Sequence, residues 1–164
     1  MDFLRWLEQT GFSTWVLSSG SLWAYPTILF LHTIGMATVV GVSAGIDLRI
    51  LGFAPEVPLA PMTRFFPVMW AGFGINAVSG TALLIADATT KLTNPVFYVK
   101  IVFIALALVN LRLVRTHIFG DPLIDKIPLA MNAKILAVTS LIFWLGAITA
   151  GRLMAYLGPV SGLQ

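Results

Sequence analysis

Apolar residues dominate this chain in four long stretches, at about 22–51, 65–86, 96–114 and 134–157. Within them the pattern is continuous. IVFIALALV (101–109) and ILAVTSLIF (135–143) carry none of the apolar–polar alternation that a barrel strand shows over about ten residues. Each stretch reaches the length of about 20 residues that an α-helix needs to cross a bilayer, and a helix satisfies its own backbone there. Polar and turn-forming residues collect between the stretches, in APEVPLAP (54–61), ADATTKLTNP (86–95) and GDPLIDKIP (120–128). Such short connections make neighbouring helices antiparallel. The pattern predicts an all-α integral membrane protein, a four-transmembrane-helix up-and-down bundle over residues 22–164.

Residues 1–21 follow another pattern. In MDFLRWLEQTGFSTWVLSSG the apolar side chains are interrupted by Arg5, Glu8 and Gln9, and no basic segment precedes them, so this is no cleavable signal peptide. Phe3, Leu4, Trp6 and Leu7 at helical spacing, followed by Trp15, predict one or two short amphipathic helices lying at the membrane interface.

Composition agrees with a bilayer environment. The 164 residues are 58% hydrophobic and only 10% charged, against about 25% charged in soluble domains. The net charge of +3 has no clustered basic face with interleaved aromatics, which argues against a nucleic-acid partner. The absence of cysteine excludes disulfides and thiolate metal sites. Arg49, Arg64, Arg112, Arg115, Lys126 and Lys134 flank the first and third connections, against Arg5, Lys91, Lys100 and Arg152 on the other side. That asymmetry places both termini outside, which in a Gram-negative host is the periplasm, with the chain in the cytoplasmic (inner) membrane.

Against this background the polar residues within spans stand out. His32, in FLHTIGM (30–36), lies about 15 Å below the outer end of the first span. Asn76 is the polar residue at matching depth on the second. On the first helix Tyr25, Leu29, His32, Met36, Val39 and Ser43 form one stripe by three-and-four spacing, the face predicted to look inward. GVSAG (41–45), the four-residue recurrence of Gly72, Asn76 and Gly80, and Ala147 with Gly151 predict close helix approaches. Arg152 and Lys100, near the outer ends of the fourth and third spans, are candidates to hold an anionic group. Asp47 and Arg49, two apart and so on different faces, read as anchors at the inner end of the first helix, each paired with another helix or a headgroup; Asn110 reads as an interhelical hydrogen-bond donor, and His117 as a residue of the inner boundary.

Ionisable groups at such depth are candidates for function. Two readings follow. In one, His32 is the axial ligand of a haem b iron, or a hydrogen-bond partner of a quinone, with Asn76, Met36, Lys100 and Arg152 around the cofactor and the protein serving electron transfer. In the other, the polar residues are interhelical glue in a non-catalytic accessory subunit that packs with other membrane subunits or with itself. His117 lies more than about 20 Å from His32 along the helix axis, so the two cannot share one iron within one chain. No Ser–His–acid set, paired carboxylates or H-E-x-x-H motif points to hydrolysis.

YPTILFLHTIG (25–35), DLRILG (47–52), NPVFYVKI (94–101) with Asn110, and WLGAITAGRLMAYLG (144–158) give the chain a resemblance to the small bacterial four-helix membrane proteins of the domain-of-unknown-function family 6644. That resemblance covers nearly the whole chain and implies fold and membrane localisation. The layout is also similar, more distantly, to copper-resistance protein D and to the membrane-bound protoporphyrinogen oxidase, and the latter family implies haem b.

Overall fold

A computed structural model of the chain describes residues 2–126 and 128–157; residues 158–164, which the sequence analysis counted with the bundle, lie outside it. It is all-α. Helices α1 (Asp2–Glu8) and α2 (Gly11–Ser18) precede four long helices, α3 (Tyr25–Leu51), α4 (Phe65–Ala86), α6 (Pro95–His117) and α7 (Met131–Tyr156), with the short α5 (Ala88–Thr93) between α4 and α6. A 3-10 turn at Ala60–Arg64 runs into α4. The four long helices have the length and hydropathy of membrane spans, so the chain is a four-helix membrane bundle.

Local chemistry sets the ends. Pro26 sits in the first turn of α3, where its missing N–H costs nothing. At the other end Gly52 adopts φ 105°, and its N–H and that of Phe53 bond to Arg49 O and Leu48 O at 3.1 and 3.0 Å. Only glycine takes that left-handed turn without strain, so α3 stops there. Asn94 caps α6 by accepting from Val96 N at 2.9 Å, with Pro95 at the first helical position. At the end of the bundle that carries the α3–α4 and α6–α7 connections, termed the inner end and the opposite one the outer, Asp125 accepts from Leu59 N (2.7 Å) and Ala60 N (3.0 Å), which ties the connection after α6 to the one after α3.

Helix α3 packs on α4 and on α7, and α7 packs on α6. The inner half of the bundle is solid. Ile46, Ile50, Phe66, Met69, Leu111, Val114 and Ala137 belong to one buried cluster there, and Val39, Ala107 and Trp144 form a second, smaller one at mid-depth. Helices α1 and α2 lie against α4 and α5: Glu8 Oε1 accepts from Thr89 N at 2.6 Å, and Ser13 Oγ donates to Ile85 O at 3.2 Å.

The backbones of α3 and α4 approach closely, but not at the glycines of GVSAG. A Cβ added to Gly41 or Gly45 would meet nothing within 4 Å, whereas one on Gly35 would lie 2.7 Å from both Asn76 N and Gly72 O. On Gly72 it would lie 3.0 Å from Thr38. The small-residue contact of α3 therefore lies at Gly35, six residues before Gly41, because the face of α3 that carries Gly35 is the one turned to α4.

Candidate functional site

The crossing at Gly35 and Gly72 brings His32 against α4. Two reciprocal hydrogen bonds join the helices. His32 Nδ1 lies 3.1 Å from the Asn76 carbonyl oxygen, and Asn76 Nδ2 donates to His32 O at 2.8 Å. Ser79 Oγ is the second neighbour of Nδ1, at 3.2 Å, and itself donates to Ile75 O at 2.6 Å. A carbonyl oxygen can only accept, and the Ser79 hydroxyl has spent its proton on Ile75. Nδ1 must therefore carry the hydrogen, which leaves Nε2 as a lone-pair acceptor in the neutral ring. Among the described residues nothing donates to Nε2.

Gly80 completes the seat. A Cβ there would stand 2.9 Å from His32 Cε1, so the ring lies where a side chain on α4 would otherwise be. The recurrence of Gly72, Asn76 and Gly80 thus marks a single face of α4, with the helix contact at one end and the imidazole at the other.

His32 lines a hollow of about 320 Å³ whose walls include Tyr25, Gly80, Lys100, Gly151 and Met154, so that α3, α4, α6 and α7 all contribute. Lys100 enters from α6, its stem alongside Gly151, where an added Cβ would be 3.8 Å from Nζ. Among the described residues Lys100 has neither a salt bridge nor a hydrogen-bond acceptor. An ammonium in a span without an anion is costly, because the hydrocarbon offers it no solvation. Towards mid-depth a narrow apolar space of about 20 Å³ is lined by Met36, Asn76, Lys100 and Trp144. Towards the outer end, Lys91 pairs with Asp87 at 3.1 Å and donates to Leu83 O at 2.9 Å. That pair, with Tyr25 and Leu83, also lines a second hollow of about 430 Å³ beneath α2, so the two spaces share a wall.

The structure therefore gathers His32, Asn76, Lys100 and Met36 around adjoining spaces. Arg152 is exposed and lines neither. His117 lies far off, exposed, its Nδ1 3.1 Å from Leu113 O, beside a separate hollow of about 430 Å³ between the end of α6 and the start of α7. Ser79 and Met154 complete the surroundings. Ser79 follows Asn76 by three positions and so shares its face, a spacing that would have revealed it in the sequence.

A second polar group occupies the same face of α3 further inward. Asp47 is 1% exposed. It accepts from Ser43 Oγ at 3.3 Å, Ser43 and Ser140 hydroxyls are 3.2 Å apart, and Trp144 Nε1 donates to Ser43 Oγ at 3.2 Å. Of the two partners expected for Asp47, another helix or a headgroup, the structure gives the helix: one more turn of the stripe after Ser43 carries it into the α3–α7 contact. Arg49 turns away to the carbonyls of Pro55 (3.0 Å) and Val57. Asn110 does join helices, donating to Leu136 O (3.1 Å) and Thr139 Oγ1 (2.6 Å) on α7.

Chemically, the outer hollow offers a fixed imidazole lone pair and an uncompensated cation. Among the described residues no three His, Cys, Asp or Glu side chains come together as a metal-binding group, so any metal held here would bring most of its own ligands, as a haem iron does. No known family profile, curated protein or solved structure matches the chain.

Proposed function

We propose that this protein is a membrane electron-transfer component of the bacterial inner membrane that holds a haem b in the hollow between α3, α4, α6 and α7. The observation that carries the reading is the state of His32: its Nδ1 hydrogen is committed to Asn76 O and Ser79 Oγ, and its Nε2 lone pair is free. An imidazole oriented through one nitrogen and open at the other is the usual condition of an iron ligand. Lys100 suits a propionate, the anion that its uncompensated ammonium otherwise lacks. Gly80 and Gly151 seat the imidazole and the Lys100 stem against α4 and α7, and Met36 and Met154 are the thioethers near them. The haem would supply one-electron chemistry; the chain orients its ligand, offers a counter-charge and keeps bulk water away.

The test is the absorption spectrum of the protein purified in mild detergent. A Soret band that is lost in His32→Ala and kept in His117→Ala supports the proposal. A preparation without the band, or a His32→Ala variant with its full haem content, removes it. Organic extraction of a quinone from the native protein but not from His32→Ala would assign the same hollow to a quinone.

A second reading, an accessory subunit with His32 as interhelical glue, draws support from the reciprocity of the His32–Asn76 bonds, which already join α3 to α4 without a ligand. On that reading His32→Ala lowers stability and changes no cofactor content.

A further inference from the structure

Helices α4 and α6 meet differently from the other neighbours. At the inner end of the bundle a hollow of about 250 Å³ lies between them, lined by Phe66 and Trp70 from α4 and by Leu111, Arg112 and Arg115 from α6. The two arginines bridge the gap by lying over rings. Arg112 Cζ is 5.9 Å from the centroid of Trp70, and Arg115 Cζ is 5.6 Å from that of Phe66. Phe66 is itself held edge-on by Phe119 at 5.1 Å. A guanidinium that covers an aromatic face directs its N–H edges sideways and outward. Among the described residues neither guanidinium has a carboxylate or any other acceptor; the ion pair found there is Lys91–Asp87, at the far end.

We propose that this hollow binds the phosphate of an anionic glycerophospholipid. Two findings select a lipid. The first is charge: two cations three residues apart on one helix face, without anions, match one phosphate diester through paired N–H contacts. The second is position. Phe66 belongs to the first turn of α4, Arg115 to the last turn of α6 and Arg112 to the turn before it, so the pair reaches from the end of the span towards the headgroups. Beside them Phe65, Val109 and Leu113 are exposed apolar side chains on the same two helices, a surface suited to acyl chains. Basic pockets between spans are a recurrent form of lipid recognition. The site is independent of the His32 hollow, which it does not touch.

Trp70 supplies the probe. In vesicles that mix phosphatidylcholine with phosphatidylglycerol, tryptophan quenching is measured with bromine on the chains of either lipid, in the native protein and in Trp70→Phe, so that the difference reports Trp70. Brominated phosphatidylglycerol is expected to quench Trp70 with about tenfold higher apparent affinity than brominated phosphatidylcholine. The preference should vanish in Arg112→Gln/Arg115→Gln, whose side chains are exposed and can change without disturbing the core. Equal quenching by both lipids, or an unchanged preference in the double variant, overturns the proposal. Competition by free glycerophosphate at millimolar concentration would show that the site takes soluble phosphate esters and would overturn the lipid assignment.

Discussion

His32 and Asp47 lie fifteen residues apart on one face of α3, and their surroundings differ in kind. Around Asp47 the polar atoms close on one another: Ser43, Ser140 and the Trp144 indole form a continuous chain, the residue is 1% exposed, and Ile46, Ile50 and Ala137 of the same two helices are buried in one apolar cluster. Around His32 the polar atoms are only half used. Nδ1 is bonded, Nε2 is free, Lys100 has no anion, and the side chains enclose about 320 Å³ of space. The inner group is what a bundle needs to join α3 to α7. The outer group exceeds what is needed to join α3 to α4, since the Asn76 amide and the Gly35–Gly72 approach already do so. Hydrogen-bonding capacity left unused beside a hollow distinguishes the His32 group from the Asp47 group, and residue type alone does not.

The sharpest way to break this contrast is to substitute each group and measure both stability and cofactor. His32→Ala should abolish haem absorbance, a loss of the whole signal, with only a small change in unfolding. Asp47→Ala should do the reverse. It strands the Ser43 and Ser140 hydroxyls in a buried site and should cost about 1 to 3 kcal/mol in a denaturation titration, with the spectrum unaltered. If Asp47→Ala removes the absorbance while the bundle remains folded, the division between the two groups is wrong.

The helix contact between them gives the next effect. Gly35→Leu drives a side chain into the backbone of α4 at Asn76 and Gly72, an overpacking expected to cost about 3 kcal/mol. Gly45→Leu points into open space and should change stability by less than about 0.5 kcal/mol. Comparable losses in the two variants, read from the same titration, would place a neighbour on Gly45 and refute the assignment of the α3 face.

These glycines also mark what the sequence could and could not disclose. The four spans were legible because apolar runs of that length have one stable form in a bilayer, and the depth of His32 opposite Asn76 followed from helical rise alone. Which small residues touch depends on helix order and rotation, and the two glycines of GVSAG satisfy the packing motif while meeting no neighbour, although Ser43 between them packs on α7. Asp47 shows the same limit. That it would pair with another helix or a headgroup was legible, but not which; its angular position carries it into the contact with α7. Arg152 was chosen for depth, and its side chain is on the exposed face of α7; Ser79 was overlooked although it follows Asn76 by one turn.

Lys100 offers a smaller effect with an unusual sign. If its ammonium awaits an anion, Lys100→Met removes an unpaired charge from the span and should stabilise the cofactor-free protein by about 1 kcal/mol, while haem is retained more weakly. Retention is checked by dilution of the purified protein into detergent, with the Soret band followed over time. A destabilised variant with unchanged retention would mean that Lys100 already has its partner in the folded chain.

The smallest effect belongs to a third polar group, at the inner ends of the helices, which is closed like that of Asp47 but sits in water. The backbone N–H groups of Ala60 and Leu59, with Arg49 adding a weaker attraction, hold the Asp125 carboxyl below its usual range. A carboxylate depressed in this way contributes stability above its unfolded value of about 3.9 and loses it as pH falls through the lower folded value. The clasp between the two inner connections should therefore be intact at neutral pH and release only below about pH 4. Asp125→Asn keeps one acceptor oxygen and cannot titrate, so amide exchange at Leu59 and Ala60 should be faster than in the native protein at pH 6 and lack its acid-induced rise. If native exchange there is already independent of pH below about 4, after correction for intrinsic rates, the carboxylate does not hold the loops together.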